Sequence, residues 1–313
     1  MDKKLYVSSS PHFQGNSSTR KIMLDVIIAL IPATIAAFVI FGMRSLTLVG
    51  VCVSSCVLSE YLARKIMKRN TTIGDLSAVV TGLLLALNLP VNINPLIAVF
   101  GSVFAIVVVK QMFGGIGMNF VNPALAARIV LLVSFPSSMM SYPPAFFYKN
   151  ADAVTSATPL SAQKGAFSYM DLLLGNCSGC IGEVCALALI LGGVYLVIRK
   201  VISPVIPCVY IGVAALMSLL VGADPLYQVL SGGLLLGAIF MATDYTTSPI
   251  TFWGKVIFAA GCAILTILLR TYSNMPEGVS FSIILMNILV PHIENLTTPK
   301  TLGFVKKTKG DKK

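Results

Sequence analysis

Residues 81–90, Thr-Gly-Leu-Leu-Leu-Ala-Leu-Asn-Leu-Pro, resemble residues 231–238, Ser-Gly-Gly-Leu-Leu-Leu-Gly-Ala, in the other half of the chain. Each stretch is followed by a polar turn that contains proline, and then by a long apolar run. The apolar runs that hold the two stretches are the third and the eighth, so they would cross a membrane in opposite directions. This arrangement predicts an inverted repeat, in which short or broken helices meet near the midplane and form a site.

The bulk composition predicts a helical membrane protein with several spans. Of the 313 residues, 56% are hydrophobic and only 11% are charged, whereas soluble domains carry roughly 25% charged residues. The mean hydropathy is +0.86. Several apolar runs reach the ~18–20 residues that cross a bilayer, and they are continuous, which argues against the alternating pattern of a β-barrel.

Ten spans are predicted from the apolar runs and the residues that break them. The third and eighth are the weakest because they are short and contain glycine. The ten predicted ranges are 22–42, 46–63, 74–90, 94–110, 121–137, 183–198, 204–222, 227–243, 254–270 and 280–298.

The basic residues predict that both termini lie in the cytoplasm. In that orientation 18 of the 23 lysines and arginines, Lys110 among them, fall in cytoplasmic segments, as the positive-inside rule requires. The exceptions are Arg44, Lys149, Lys164 and Arg270 on the opposite side and Arg128 within a span. The net charge of +11 therefore reflects topology, and we expect no nucleic-acid partner.

The same pattern divides the chain into five segments. They are a cytoplasmic segment 1–21, a first transmembrane half 22–137, an extracytoplasmic loop 138–182, a second transmembrane half 183–298 and a basic cytoplasmic tail 299–313.

The loop between the halves contains Asp152-Ala153-Val154-Thr155-Ser156-Ala157-Thr158-Pro159. Small neighbours leave the Thr158 hydroxyl open to a modifying enzyme, and Pro159 disfavours helix at this point. Composition alone favours an ordinary polar loop rich in serine, threonine and alanine.

Asp152, Thr155, Ser156, Ala157 and Thr158 form a pattern that resembles a flavin-transferase recognition motif. The motif belongs to the B and C subunits of sodium-pumping NADH:quinone reductase and to the D and G subunits of the Rnf complex. In those families FMN is joined through a phosphoester to the final threonine, which is Thr158 here. Ser156 departs from the pattern, because glycine is commoner there.

The wider chain resembles the D subunit of the Rnf ion-translocating oxidoreductase complex along nearly its whole length, and the homologous quinone-reductase B subunit is the alternative. About 20 residues precede the first span, fewer than is typical of the B subunit. The stretches that carry the resemblance are 9–12, 110–123, 174–176, 182–183, 242–249 and 276–281.

The resemblance implies an electron-transfer subunit of an ion-translocating ferredoxin:NAD oxidoreductase in the bacterial cytoplasmic (inner) membrane. Covalent FMN on Thr158 would exchange electrons with the flavin of the G subunit, and electron flow would drive Na+ or H+ across the bilayer. A second, non-covalent flavin, riboflavin, is associated with such subunits. The implied partners are the G subunit, the membrane A and E subunits, the peripheral C subunit and a flavin transferase.

Three glycines, Gly175, Gly179 and Gly182, are predicted to lie on the same side of the membrane as Thr158. They are candidates for backbone contact with the flavin. They are equally compatible with close helix packing.

Four ionisable residues near predicted spans are functional candidates. They are Arg128, Asp244, Arg270 and Glu277, and Asp244 is expected to face a polar cavity.

The three cysteines Cys177, Cys180 and Cys185 are too few for most iron–sulfur or structural zinc sites, and we expect no metal. A disulfide or free thiols remain open.

Two other classes of function fit parts of the sequence. An inverted repeat with few charged residues in its spans is typical of a channel or secondary transporter for a neutral solute, although such a protein has no use for a flavin-attachment motif. A purely structural scaffold would also fit if Thr158 were unmodified.

Overall fold

The structure is a computed structural model that describes residues 18–149, 158–160, 167–273 and 278–299. Its regular structure is entirely helical over those ranges, with no strand. The helices are α1 Thr19–Phe41, α2 Met43–Ile66, α3 Ser77–Leu87, α4 Pro95–Val103, α5 Pro123–Ser134, α6 Pro136–Met139, α7 Tyr169–Leu174, α8 Ala186–Ile198, α9 Val205–Leu220, α10 Pro225–Leu230, α11 Leu234–Leu236, α12 Phe252–Tyr272 and α13 Gly278–Thr297.

Helical structure occurs at each of the ten predicted spans. Four helices, α1, α2, α12 and α13, are long and apolar enough to cross a membrane by length and composition. The other apolar helices in the described residues are shorter. The chain therefore has the helices of a multi-pass membrane protein, while the ten-span arrangement remains a prediction.

Three helices begin at an asparagine or aspartate followed by proline. Asn94, Asn122 and Asp224 each accept a hydrogen bond from a backbone N–H in the first turn of α4, α5 and α10. The side-chain oxygen satisfies a donor that has no partner within the helix. Proline fits the next position because it has no N–H and its φ is already helical.

The predicted third span is a short helix that ends inside the bundle. α3 stops at Leu87, and the chain between Gly175 and Cys185 reaches its C-terminal end. There the backbone N–H groups of Gly182 and Ile181 donate to the carbonyl oxygens of Leu87 and Leu89 at 2.7 and 3.1 Å. Carbonyls that the helix leaves unpaired are thereby satisfied away from water.

The predicted eighth span, 227–243, is divided in the structure. α10 ends at Leu230, Gly232 takes a left-handed conformation with φ of 63°, and α11 leads into a π-helical segment, Gly237–Met241. Glycine allows this backbone conformation without steric cost. A second π-helical segment, Phe104–Gln111, continues α4, and such segments occur frequently at functional sites.

Small residues bring several helices close together. A Cβ at Gly192 of α8 would lie 2.2 Å from the carbonyl oxygen of Ala29 in α1, and a Cβ at Gly82 of α3 would lie 2.8 Å from Cα of Val53 in α2. In a lipid bilayer the hydrophobic effect does not drive helices together, so close backbone packing of this kind stabilises their association.

Candidate functional site

Thr158 lies half-buried at the edge of a cavity of about 450 Å³ including its opening. The hydroxyl of Tyr227 in α10 donates to the carbonyl oxygen of Pro159 at 2.9 Å, which attaches this part of the loop to the bundle. The walls of the cavity, which we call the Thr158 cavity, come from four parts of the chain: Thr158, Pro159 and Leu160; Leu172; Cys177, Ser178, Gly179, Glu183 and Val184; and Leu230, Gly232 and Gly233.

The rest of the attachment motif falls outside the described residues. Asp152, Thr155, Ser156 and Ala157 all precede the short described segment 158–160. Only Thr158 of the predicted motif can therefore be placed relative to the helices.

The three candidate glycines separate into two groups. Gly179 lines the Thr158 cavity, and a Cβ there would meet only Val184 at an ordinary 3.4 Å. Gly175 and Gly182 are packed instead, because a Cβ on either would lie 2.6 Å from Ile40 or 2.5 Å from Leu87. Backbone approach to a ligand is thus available at Gly179, and close packing accounts for the other two.

A buried charged cluster lies behind the Thr158 cavity, and one of its members, Glu183, is part of the cavity wall. Arg128 Nη1 donates to Glu183 Oε1 at 2.8 Å and to Asn88 Oδ1 at 2.6 Å. Arg128 and Glu183 are only 3% and 6% exposed. The sequence singled out Arg128 but not its partners; a glutamate at the start of an apolar run was the available signal.

A second pair of polar groups lies among exposed residues between α7 and α10. The hydroxyl of Tyr169 donates to the Asp224 carboxylate, and this bond holds the pKa of Asp224 below its usual value and raises the pKa of Tyr169. The two helices that it joins also supply Leu172 and Leu230 to the cavity wall.

A larger cavity, which we call the internal cavity, measures about 820 Å³ including its mouth. It is lined by residues of α3 and of the two π-helical segments, among others. Asp244 borders this cavity as expected, and Asn119, Asn122 and Thr246 are further polar residues of its wall, but most of the wall is apolar. Asn119 Nδ2 donates to Thr246 Oγ1 at 3.0 Å, and Thr246 Oγ1 donates to Asp244 Oδ2 at 3.1 Å. The apolar part of its wall includes Ile22, Val26, Val80, Leu84, Leu196 and Phe240.

The wall of the internal cavity also includes Lys110, which belongs to a buried ion pair that the sequence did not predict. Lys110 Nζ donates to Glu60 Oε2 at 2.9 Å and to Ser77 Oγ at 2.7 Å, and Gln111 and Thr72 donate to Glu60 Oε1. The charge count placed Lys110 in a cytoplasmic segment, but its side chain is 3% exposed. The π-helical segment brings Lys110 and Gln111 to the same carboxylate.

The cysteines provide no disulfide. All seven lie within the described residues, and none of them is joined to another by a disulfide. Cys180 Sγ lies 3.4 Å from Arg128 Nη2, so it is part of the buried cluster. Within the described ranges, no group of three or more histidine, cysteine, aspartate or glutamate side chains is arranged to hold a metal ion.

Comparison with known proteins gives a match over almost the whole chain. The model of the NQR2, RnfD, RnfE family matches residues 6–303. The D subunit of the Na(+)-translocating ferredoxin:NAD(+) oxidoreductase complex of Acetobacterium woodii is 49% identical over 309 residues, covering 96% of both chains.

Two further relatives carry related names. The D subunit of the proton-translocating ferredoxin:NAD(+) oxidoreductase complex of Clostridium ljungdahlii is 39% identical, covering 95% of this chain and 96% of the relative. The D subunit of the ion-translocating oxidoreductase complex of Stutzerimonas stutzeri is 37% identical, covering 92% and 93%.

Proposed function

The chain belongs to the NQR2, RnfD and RnfE family, and we propose that it is the D-type membrane subunit of an ion-translocating ferredoxin:NAD oxidoreductase. Three relatives at 37–49% identity are named as D subunits of such complexes. The quinone-reductase B subunit belongs to the same family and is the less favoured assignment. The observation that carries the proposal is the position of Thr158, the last residue of the flavin-attachment motif, at the edge of a cavity.

FMN is bound covalently to Thr158 in this proposal. The Thr158 hydroxyl lies at the edge of a recess in the bundle, where a modifying enzyme could reach it. Gly179 leaves its backbone open on the side of this recess, and Ser178 and Glu183 supply polar groups. The flavin would supply the redox chemistry, and the chain would supply its placement and electrostatic environment.

Riboflavin is the proposed ligand of the internal cavity. Its polar groups, Asn119, Asn122, Asp244 and Thr246, stand opposite apolar side chains such as Val26 and Phe240. A flavin ring has an edge of hydrogen-bonding atoms and apolar faces, and it needs both kinds of wall. The cavity measures about 820 Å³ with the open space at its mouth included.

The proposed topology is ten spans as a 5+5 inverted repeat, with both termini in the cytoplasm and the loop 138–182 outside. Contacts between α1 and α8 and between α5 and α13 support this arrangement, because they pair corresponding helices of the two halves. The short α3 and the divided α10–α11 region also occupy corresponding positions, in the third span of each half. Broken helices at matching positions are typical of an inverted repeat. In this topology the chain spans the bacterial inner membrane, and Thr158 lies on the side away from the cytoplasm.

A covalent bond is useful on that side of the membrane, because a lost flavin could not be replaced there. The G subunit would present its own flavin nearby, and the A, E and C subunits would complete the complex. Electron flow would be coupled to Na+ or H+ transport. The identity of the ion does not follow from the family, since one relative is named for Na+ and another for protons.

A channel or transporter without redox chemistry is the second candidate. It is favoured by one observation, the internal cavity between two broken helical regions. This alternative gives no role to Thr158.

The experiment that separates the two is expression of the full chain with and without a flavin transferase. We expect flavin fluorescence to remain on the denatured chain in a gel only when the transferase is present. Thr158→Ala should abolish it, whereas Thr271→Ala, an exposed threonine of α12, should retain it. Absence of fluorescence in the wild-type chain would favour the solute pathway.

A further inference from the structure

Arg64, in the last turn of α2, is a buried arginine that has no carboxylate partner among the described residues. It is 9% exposed. Its Nε is sealed from solvent without a hydrogen bond, and its two Nη groups, which have no acceptor in the described part of the chain either, reach the surface. The buried carboxylates of Glu60, Glu183 and Asp25 are instead paired with other cations, Lys110, Arg128 and Arg199.

Arg64 adds a second positive charge to the buried pair of Lys110 and Glu60. It is close enough to Lys110 for the two charges to repel each other. Glu60 already accepts from Lys110 Nζ at 2.9 Å, so the three side chains together carry a net positive charge. A buried charge that lacks a counter-charge is costly, and an anion beside Arg64 would offset that cost.

The glycine-rich turn 113–118 makes room for the guanidinium group. A Cβ on Gly115 would lie 2.3 Å from Arg64 Nη2, and Gly115 has a φ of 106° that favours glycine. Gln111 Oε1, which is buried without a partner, would lie 3.7 Å from the same Cβ. Because an amide oxygen is neutral, it leaves the charge of Arg64 uncompensated.

The C-terminal end of α2 does not need the Arg64 side chain as a cap. The carbonyl oxygens of residues 63–65 accept from the backbone N–H groups of residues 67–69 at 2.9 to 3.2 Å. These bonds satisfy carbonyls that a helix end would otherwise leave unpaired. Capping therefore does not explain why an arginine is buried here.

The surface around Arg64 combines basic and apolar side chains. Lys65, Lys68 and Arg69 are exposed at the end of α2, and Arg69 Nη1 donates to the carbonyl oxygen of Gly114 at 3.5 Å. The exposed apolar side chains in and next to the turn are Met112, Phe113, Met118 and Phe120. A phospholipid matches both kinds of surface, with a phosphate for the cations and acyl chains for the apolar groups, whereas a soluble anion would leave the apolar groups in water.

We propose that Arg64 and the glycine-rich turn bind the phosphate group of an anionic phospholipid. The planar guanidinium can donate two parallel hydrogen bonds to phosphate oxygens, and the flanking basic residues favour a headgroup with net negative charge. In the proposed topology this surface faces the cytoplasmic leaflet. The site involves neither the Thr158 cavity nor a flavin, so it goes beyond the proposed function.

The test is a lipid titration of the full chain, purified and delipidated in detergent, with Tm as the readout. Phosphatidylglycerol should raise the Tm of the wild type, and phosphatidylcholine, which has a phosphate but no net charge, should raise it less. Arg64→Gln should weaken the apparent affinity for phosphatidylglycerol by about tenfold, because charge-assisted hydrogen bonds are lost. Arg64→Lys, which keeps the charge but not the planar fork, should give an intermediate affinity.

Arg44→Gln is the matched control, because Arg44 is an exposed arginine at the opposite end of the same helix. It should retain the wild-type affinity. If Arg64→Gln does not fold, Arg64→Met, which removes the charge at similar length, is judged by the same criterion.

Three results would overturn the inference. The first is wild-type affinity for phosphatidylglycerol in the Arg64 variant, and the second is an equal loss of affinity in Arg44→Gln. The third is a rise in the Tm of the wild type with inorganic phosphate alone that matches the rise with phosphatidylglycerol, which would identify a soluble anion as the ligand.

Discussion

The backbone N–H of Gly182 donates a 2.7 Å hydrogen bond to the carbonyl oxygen of Leu87. This bond joins the segment that forms one wall of the Thr158 cavity to the C-terminal end of α3. A Cβ on Gly182 would lie 2.5 Å from Cβ of Leu87. The contact therefore depends on glycine.

Gly182→Ala should destabilise the chain by about 1–3 kcal/mol, the usual cost of forcing an extra carbon into a packed interior. Unfolding of the purified protein in detergent measures the effect. Gly179→Ala is the matched control, since its Cβ would meet Val184 at an ordinary 3.4 Å. Equal stability of the two variants would contradict this account of the junction.

The buried pair of Lys110 and Glu60 gives a second prediction about stability. Lys110→Gln leaves the Glu60 carboxylate without its cation in a site where both side chains are almost fully buried. Breaking a buried pair in this way costs about 3–5 kcal/mol. A denaturant titration of the variant against wild type measures the loss.

Lys65→Gln supplies the comparison for that variant, because Lys65 lies on the exposed side of the same helix as Glu60. Its stability should stay within about 0.5 kcal/mol of wild type. A loss in Lys110→Gln no larger than this would mean that the pair contributes nothing to the fold.

The internal cavity gives a prediction about the non-covalent ligand. Thr246→Val removes the hydroxyl that accepts from Asn119 and donates to Asp244. Asn119 and Asp244 each lose one of the hydrogen bonds that orient them in the cavity wall, so riboflavin binding should weaken by about tenfold. The measurement is the riboflavin released from purified protein by denaturation.

The covalent flavin on Thr158 should be unaffected in Thr246→Val, because the two residues border different cavities. Thr271→Val, in which the lost hydroxyl bonded only to backbone carbonyls of α12 among the contacts seen, should retain riboflavin. Full riboflavin content in Thr246→Val would remove this cavity from consideration as the flavin site.

The positions of the helices could be predicted from the sequence because apolar runs and their breakers are local signals. The Asn-Pro and Asp-Pro pairs at residues 94, 122 and 224, where three helices begin, are local signals of the same kind that the span prediction did not use. The division of the eighth predicted span was harder to predict. Gly232 and Gly233 indicated a weak span, but the break itself depends on the φ that Gly232 adopts in the folded chain.

The site could be predicted only in part. The motif identified Thr158 from neighbouring residues, but the cavity beside it is completed by Glu183 and Gly233 from distant parts of the chain. Pairings such as Glu60 with Lys110 join residues that are 50 positions apart, and no local pattern encodes such a contact. The charge count could not show that Lys110 is buried, since a lysine near a span end can face inward whichever side of the membrane it lies on.

The central claim is that Thr158 carries FMN through its hydroxyl. The most direct measurement is peptide mass spectrometry of the chain purified from its native membrane. The account predicts that the peptide containing residues 152–159 carries the mass of a phosphoester-linked FMN and that fragmentation assigns it to Thr158. An unmodified peptide in that material, or a flavin on a different residue, would contradict it.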